Sequence, residues 1–166
     1  MNCEPGGAEL DQIEAIYRRR LPEFRRVATA ITGDRDVAVD AVQEAFALAV
    51  YKRGQFRGDG SVEGWLWRIV VRTARDAARR SAPVSRLARN NAAADSIWCE
   101  DEGQGRLRVL VAELPERQRV APFLFYYADL DYAAIAAALE ISPGTVGATL
   151  SQARQNLRRL MTGVRR

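Results

Sequence analysis

Apolar residues recur at three- and four-residue steps over most of this chain, and the alternation of a half-buried strand occurs nowhere. That pattern restricts the fold to helices packed on helices. Leu10, Ile13, Tyr17, Phe24, Val27 and Ile31 trace a first helix. Pro22 is expected to kink or restart it, because proline has no amide hydrogen and its ring meets the carbonyl four residues back. Thr32-Gly33-Asp34 reads as a stop. A second helix is predicted over about 36–53, with Val39, Val42, Phe46, Ala49 and Val50 on one face. Residues 54–61, GQFRGDGS, hold three glycines in eight positions and read as a loop. A third helix is predicted over about 62–80, with Leu66, Ile69, Val70, Thr73 and Ala77 facing inward.

From 81 to 105 the periodicity fails. The stretch is rich in small and polar residues and carries the acidic run Glu100-Asp101-Glu102, so it reads as a flexible linker. Helical pattern resumes with Leu107, Leu110 and Val111. Leu114-Pro115-Glu116 opens the next helix, which Pro122 is expected to kink. Asp131 can cap a short helix over 132–139. Ser142-Pro143 supplies a cap and a first-position proline for a last helix ending near Met161. The chain of 166 residues is thus all-α: two small helical domains, 10–80 and 106–161, joined by the linker 81–105.

Composition removes most enzyme classes. Histidine, the commonest general base and metal ligand, is absent. Cys3 and Cys99 are far apart and neither lies in a paired motif, so no zinc site or disulfide framework is expected. Phosphate-binding glycine loops and nucleophile elbows are missing too. No catalytic residue, metal or cofactor is assigned. No run approaches 18 apolar residues, and the N-terminal MNCEPGGAELDQ lacks a basic start and apolar centre. A cytoplasmic protein without a membrane partner is expected.

The charges point to nucleic acid. The net charge is +4, and of 25 basic residues only Lys52 is not arginine. The guanidinium fork suits phosphates and base edges. Arginine codon bias explains the ratio but not the placement. Trp65, Trp67, Arg68, Arg72, Arg75, Arg79 and Arg80 crowd the third helix, with Asp76 the one acid among them. Exposed aromatics between arginines suit opened DNA, where bases stack and phosphates pair with cations. A core tryptophan beside a solvated arginine face would give the same letters. Further on, YAAIAAALEISPGTVGATLSQARQNLRR has helix-turn-helix spacing, with Ile135 and Leu139 on one face, Ile141 in the turn, and Val146 and Leu150 facing back. An ordinary helical hairpin would share the apolar spacing; the capped turn favours the DNA-binding unit.

Two blocks carry a resemblance. DRDVAVDAVQEAFALAVYKRGQFRGDGSVEGWLWRIVVRTARDAARR resembles region 2 of the extracytoplasmic-function sigma factors of bacterial RNA polymerase. LPERQRVAPFLFYYADLDYAAIAAALEISPGTVGATLSQARQNLRRL resembles their region 4, in the same order. The resemblance implies partners and roles. Asp40, Gln43, Glu44 and Phe46 would lie on the helix that docks on the β′ clamp helices of core polymerase. Phe56, Arg57, Asp59 and Ser61 would match the loop that captures a flipped base of the −10 element. Trp65, Trp67, Arg68, Arg72 and Thr73 would hold the opened strand. Region 4 would sit on the β flap and read the −35 element with Thr145, Gly147, Ala148, Thr149, Ser151, Gln152 and Arg154. The linker would run toward the RNA exit path, and an anti-sigma factor is a further partner that the family implies.

Two departures from the family pattern matter. Family members carry basic and polar residues along the recognition helix, roughly GTVKSRLxRAR. Here no long cation occurs from Gly147 to Ala153, and Gly147 costs about 1 kcal/mol of helix propensity against alanine. The −35 contact is therefore expected to be weak, or to rest on backbone and shape. Thr73 replaces an asparagine, which leaves the −10 preference open. Beside the sigma-factor reading stand a free helix-turn-helix regulator and a sigma-like protein-interaction module. Copurification with core polymerase separates the three.

Overall fold

Caps and turns cut the helical pattern into its elements. The computed structural model describes residues 7–88 and 110–163. Helix α1, Leu10–Thr32, ends where Gly33 takes the left-handed conformation at φ 72° and returns its amide to the carbonyl of Thr29. Asp34 then starts α2, Arg35–Lys52, by accepting hydrogen bonds from the amides of Asp36 and Val37. A single 3-10 turn, Arg53–Gln55, leads to the glycine loop. Ser61 opens α3, Val62–Ala88, with its hydroxyl accepting from the Gly64 amide at 3.0 Å. In the second half, α4 is Glu116–Tyr126, α5 Tyr132–Leu139 and α6 Pro143–Gly163. The described residues contain no strand. The expected all-α class is observed.

Two prolines lie inside continuous helices, and one boundary differs from expectation. Helix α1 runs unbroken through Pro22, whose exposed position lets water serve the carbonyl that a proline leaves unpaired. Helix α4 likewise continues through Pro122 as one element. Helix α3 runs to Ala88 instead of stopping near Arg80, so the first residues assigned to the linker are helical. Small, polar composition suggested a linker, but alanine, arginine and leucine are good helix formers and extend an established helix. Residues 89–109, including Ile97-Trp98 and the acidic run, lie outside the described residues.

The first three helices pack pairwise. The inward face of α2 is Ala38, Ala41, Ala45 and Ala49 with Val42 and Phe46. Small residues there let the neighbouring helices approach. An aromatic chain crosses this core, from Trp67 to Phe24 at 4.1 Å, Phe24 to Phe46 at 5.1 Å and Phe46 to Tyr17 at 4.8 Å. The second core joins Val120, Leu124, Ile135, Leu139, Val146, Leu150 and Ala153. Sequence patterning foresaw two helical units but not their contact. Helix α3 packs on α5 and α1 on α4, and one apolar cluster runs through both units.

Candidate nucleic-acid interface

Helix α2 buries its alanines and so turns a polar stripe outward. Asp40, Gln43, Glu44, Ala47 and Tyr51 are exposed at three- and four-residue steps along one side. Glu44 accepts from Arg80 of α3 at 2.8 Å, with both side chains more than half exposed. Phe46 is buried and packs in the aromatic chain, so the contact expected of it at the surface is not available to it. Tyr51, 82% exposed, was missed by sequence reading. Its spacing from Glu44 and Asp40, seven and eleven positions, marks the same helix face.

At the loop, Gly58 and Gly60 have φ of 77° and 92°, a region that side chains rarely enter. They hold Arg57, Asp59 and Ser61 on the surface, while Phe56 turns inward. The Phe56 ring packs beside that of Trp65, with centroids 5.7 Å apart and planes tilted by 53°. The expected base contact of Phe56 is corrected to a packing role, because its ring is buried. Ser61 is engaged as the α3 cap. Glu63, one turn in, receives Arg19 at 2.9 Å and Arg20 at 3.0 Å, and so fixes the start of α3 against α1.

The two tryptophans separate. Trp67 is 0% exposed and belongs to the core, which overturns its assignment to the opened strand. Trp65 is half-buried, with Arg68 and Arg72 fully on the surface beside it. Thr73 is also buried and cannot reach a base directly. Helical geometry sets this split: Trp67 shares its face with Val70, Val71 and Ala74, all buried. Arg75 leaves the arginine series. It donates through Nε to Glu116 Oε1 at 2.7 Å, across to α4.

Helices α5 and α6 turn by 88° across Glu140–Ser142, the angle of a helix-turn-helix. Asp131 caps α5 through the Ala134 amide at 2.7 Å. Glu140 closes it in the left-handed region at φ 56°, and Ile141 returns its amide to Ala136. Ser142 accepts from the Thr145 amide at the start of α6. On α6, Thr145, Ala148, Ser151, Gln152 and Arg154 are exposed. Thr149 is 6% exposed and donates its hydroxyl to the Thr145 carbonyl at 2.8 Å, so its assignment as a DNA contact is corrected to helix packing. Gly147 is half-covered by the Tyr132 ring, whose Cε2 stands 3.5 Å from where a Cβ would be. Gln152 is joined through Gln118 to Asn156.

Burial lowers the pKa of Arg119 from its ordinary value, opposed by Glu116. Its guanidinium donates to the carbonyls of Ala112 and Leu114, holding the turn before α4. Among the described residues no acidic or cysteine cluster is arranged to hold a metal, and no single helix is long and apolar enough to cross a membrane.

Comparison with known proteins gives these two halves their family. The model of sigma-70 region 2 matches residues 16–83, and that of sigma-70 region 4 matches 104–157. The ECF RNA polymerase sigma factor SigM of Mycobacterium tuberculosis is 31% identical over 150 residues, covering 89% of this chain and 76% of its own length. The ECF RNA polymerase sigma-E factor of Escherichia coli is 32% identical over 139 residues, covering 70% and 69%. Among solved structures, the sigma factor RpoE of Bartonella quintana, in complex with the anti-sigma factor NepR, matches with a TM-score of 0.74. It is 22% identical and covers 92% of this chain and 98% of its own. CnrH, solved with the cytosolic domain of CnrY, matches with a TM-score of 0.68 at 21% identity, covering 94% and 91%. An acidic helix face, an aromatic and arginine-bearing third helix, and a capped helix-turn-helix stand in the order of those two regions, and the chain belongs to the ECF sigma factors of RNA polymerase, whose function is transcription initiation.

Proposed function

We propose that this sigma factor binds core polymerase through the α2 stripe, opens the −10 element on α3 and reads the −35 element with α6. It catalyses no reaction of its own. Asp40, Gln43, Glu44 and Tyr51 form the clamp-binding face. Arg57, Asp59 and Trp65 capture the flipped base, and Arg68 and Arg72 hold the strand's phosphates. Stacking and pocket contacts offset the few kcal/mol of base flipping. Phe46, Phe56, Trp67, Thr73 and Thr149 act as the packed support of these contacts. Thr145, Ala148, Ser151, Gln152 and Arg154 make the −35 contacts, with Gly147 leaving room for the Tyr132 ring beside the start of α6. The units 10–80 and 106–161 divide this labour, region 4 resting on the β flap. Their site of action is the cytoplasm. Because a structural neighbour was solved with an anti-sigma factor, an anti-sigma factor is proposed for this chain too.

The observation that carries this reading is the half-buried Trp65, packed beside Phe56, next to exposed Arg68 and Arg72. Aromatic face and cations together are what an opened strand needs. The test is transcription in vitro with purified core polymerase and a random promoter pool. Enrichment of promoters with paired −10 and −35 elements is expected. Duplex binding without core, and no transcript with it, would replace the proposal with a free regulator.

A further inference from the structure

The loop 56–61 between the 3-10 turn and α3 is fastened at both ends to α1 and to the short segment before it. At its entry the carbonyl of Arg53 accepts two amides, that of Ala8 at 3.0 Å and that of Phe56 at 3.3 Å. Gly7 runs over the same turn: a Cβ there would stand 3.7 Å from the Arg53 carbonyl oxygen and 3.8 Å from the Gly54 Cα. The Arg53 guanidinium donates to the Val50 carbonyl at 3.1 Å and closes the turn from the α2 side. At the loop's exit, Glu63 receives Arg19 and Arg20 of α1. Between the two fastenings, a Cβ placed on Gly58 or Gly60 would meet no atom of the described residues within 4 Å beyond its chain neighbours. A loop whose tip touches so little takes its position from its ends.

The entry fastening reaches furthest into the site. Ala8 is 4% exposed, so its amide has little water to turn to if the Arg53 carbonyl moves away. Ala8 and Phe56 lie in one apolar cluster, and Phe56 packs beside Trp65. A chain of contacts therefore leads from the Ala8 amide through the Arg53 carbonyl and the Phe56 amide to the Phe56 and Trp65 rings. We infer that Ala8 is a positioning residue for promoter opening: its amide, through Arg53, sets where the loop and the Trp65 ring stand to receive the flipped base. Ala8 is buried and makes no contact with DNA itself. This role rests on the reading of the loop as the capture site, whereas the hydrogen bond is a property of the free chain. Misplacing a positioned group by about 1 Å can cost ~100-fold in the step it serves.

Ala8→Pro tests it, since proline has no amide hydrogen. The assay is transcription by the full chain with core polymerase and a random promoter pool, scored as base preference at each position of the −10 and −35 elements. Preference at the captured −10 base should fall about fivefold or more. Preferences in the −35 element and retention in a core pull-down should stay within about twofold of the parent, because those contacts lie on other elements. Ala8→Gly keeps the amide and should keep the −10 preference. An amide-to-ester exchange at residue 8, made with lactic acid in place of alanine, deletes the same hydrogen without a ring. It should reproduce the Ala8→Pro result, and it decides the case if that variant does not fold. An unchanged −10 preference without the amide overturns the role of Ala8. So does an equal loss at −10 and −35, the mark of a fold that has merely weakened. So does an Ala8→Gly chain that loses as much as Ala8→Pro, since the methyl group and not the hydrogen bond would then carry the effect.

Amide hydrogen exchange needs neither promoter nor polymerase. In the free parent the Ala8 amide should exchange about tenfold or more slower than an open-chain amide, and its removal should speed exchange at Phe56 by a similar factor. A freely exchanging Ala8 amide overturns the role. If the parent enriches no promoter while the Ala8 amide is protected, the initiation reading fails and the fastening of the loop stands.

Discussion

Replacing Trp67 and replacing Trp65 should have opposite signatures. Trp67 is wholly buried and touches Phe24 at 4.1 Å, at one end of the aromatic chain through α1 to α2. Its truncation in Trp67→Ala should cost about 3–5 kcal/mol. Area gives a similar figure: about 150–250 Å² at ~25 cal/mol per Å² is roughly 4–6 kcal/mol. For a chain of this size that lowers the melting temperature by about 6–20 °C. The indole Nε1 is buried without a partner. Trp67→Phe removes that unpaired donor, a gain of about 1–3 kcal/mol set against the smaller ring. It should cost less than half as much as the alanine. Trp65→Ala, by contrast, loses a ring that is only partly buried at the edge of the core and should cost clearly less stability than Trp67→Ala. Its defect should appear in promoter opening, worth about 1–3 kcal/mol for one base stack, and should shrink on a premelted −10 bubble. Circular dichroism melts and open-complex assays on duplex and bubble templates measure both. A Trp67→Ala protein that melts like wild type yet fails to open promoters would refute the assignment of the two rings.

Asp40→Arg with Glu44→Arg should abolish core polymerase binding in a pull-down while helical circular dichroism stays intact, because the Glu44–Arg80 pair is exposed and worth at most about 1 kcal/mol. Asp131→Ala should destabilise the helix-turn-helix by about 1 kcal/mol, read in a thermal melt, through loss of the bond to the Ala134 amide. Glu140→Gly should raise stability by up to about 1 kcal/mol in the same melt, since its φ of 56° is a left-handed position that glycine adopts without strain. Ala148→Arg, at an exposed position of α6, should steepen the salt dependence of holoenzyme binding to a −35 duplex by about 0.9 in log–log slope per added phosphate contact. The same residue placed at Thr149 should instead destabilise, since that side chain is buried.

The local signals in the sequence were strong wherever one residue type does one job. Gly33, Asp34, Asp131 and Ser142 mark helix ends through backbone hydrogen bonds that only a few side chains can make, and each does so in the structure. Periodicity separated inside from outside on α2 and on α5. It failed on α3 between Trp65 and Trp67, because large aromatics tolerate either environment and only the neighbours Val70, Val71 and Ala74 decide. Pro22 restarts no helix: it sits on an exposed face inside continuous α1, where water can serve the carbonyl it leaves unpaired. The contact between the halves left no periodic trace. Arg75 and Glu116 are 41 positions apart, and each looks like a surface charge until the other is placed beside it.

The recognition helix sets a limit on what the second half can do by itself. From Gly147 to Ala153 the chain has no charge, and the one long cation nearby, Arg154, donates back toward the Leu150 carbonyl at 3.4 Å. A helix so placed gains little from phosphate, since each neutralised phosphate is what drives counterion release. If α6 meets the −35 element with about two phosphate contacts, log affinity of the full chain for a −35 duplex should fall with log salt at a slope of roughly −1.8. Salt titration measures it. Tight binding with a slope of about −5 or steeper would show that the reading helix is a stronger anchor than its side chains indicate.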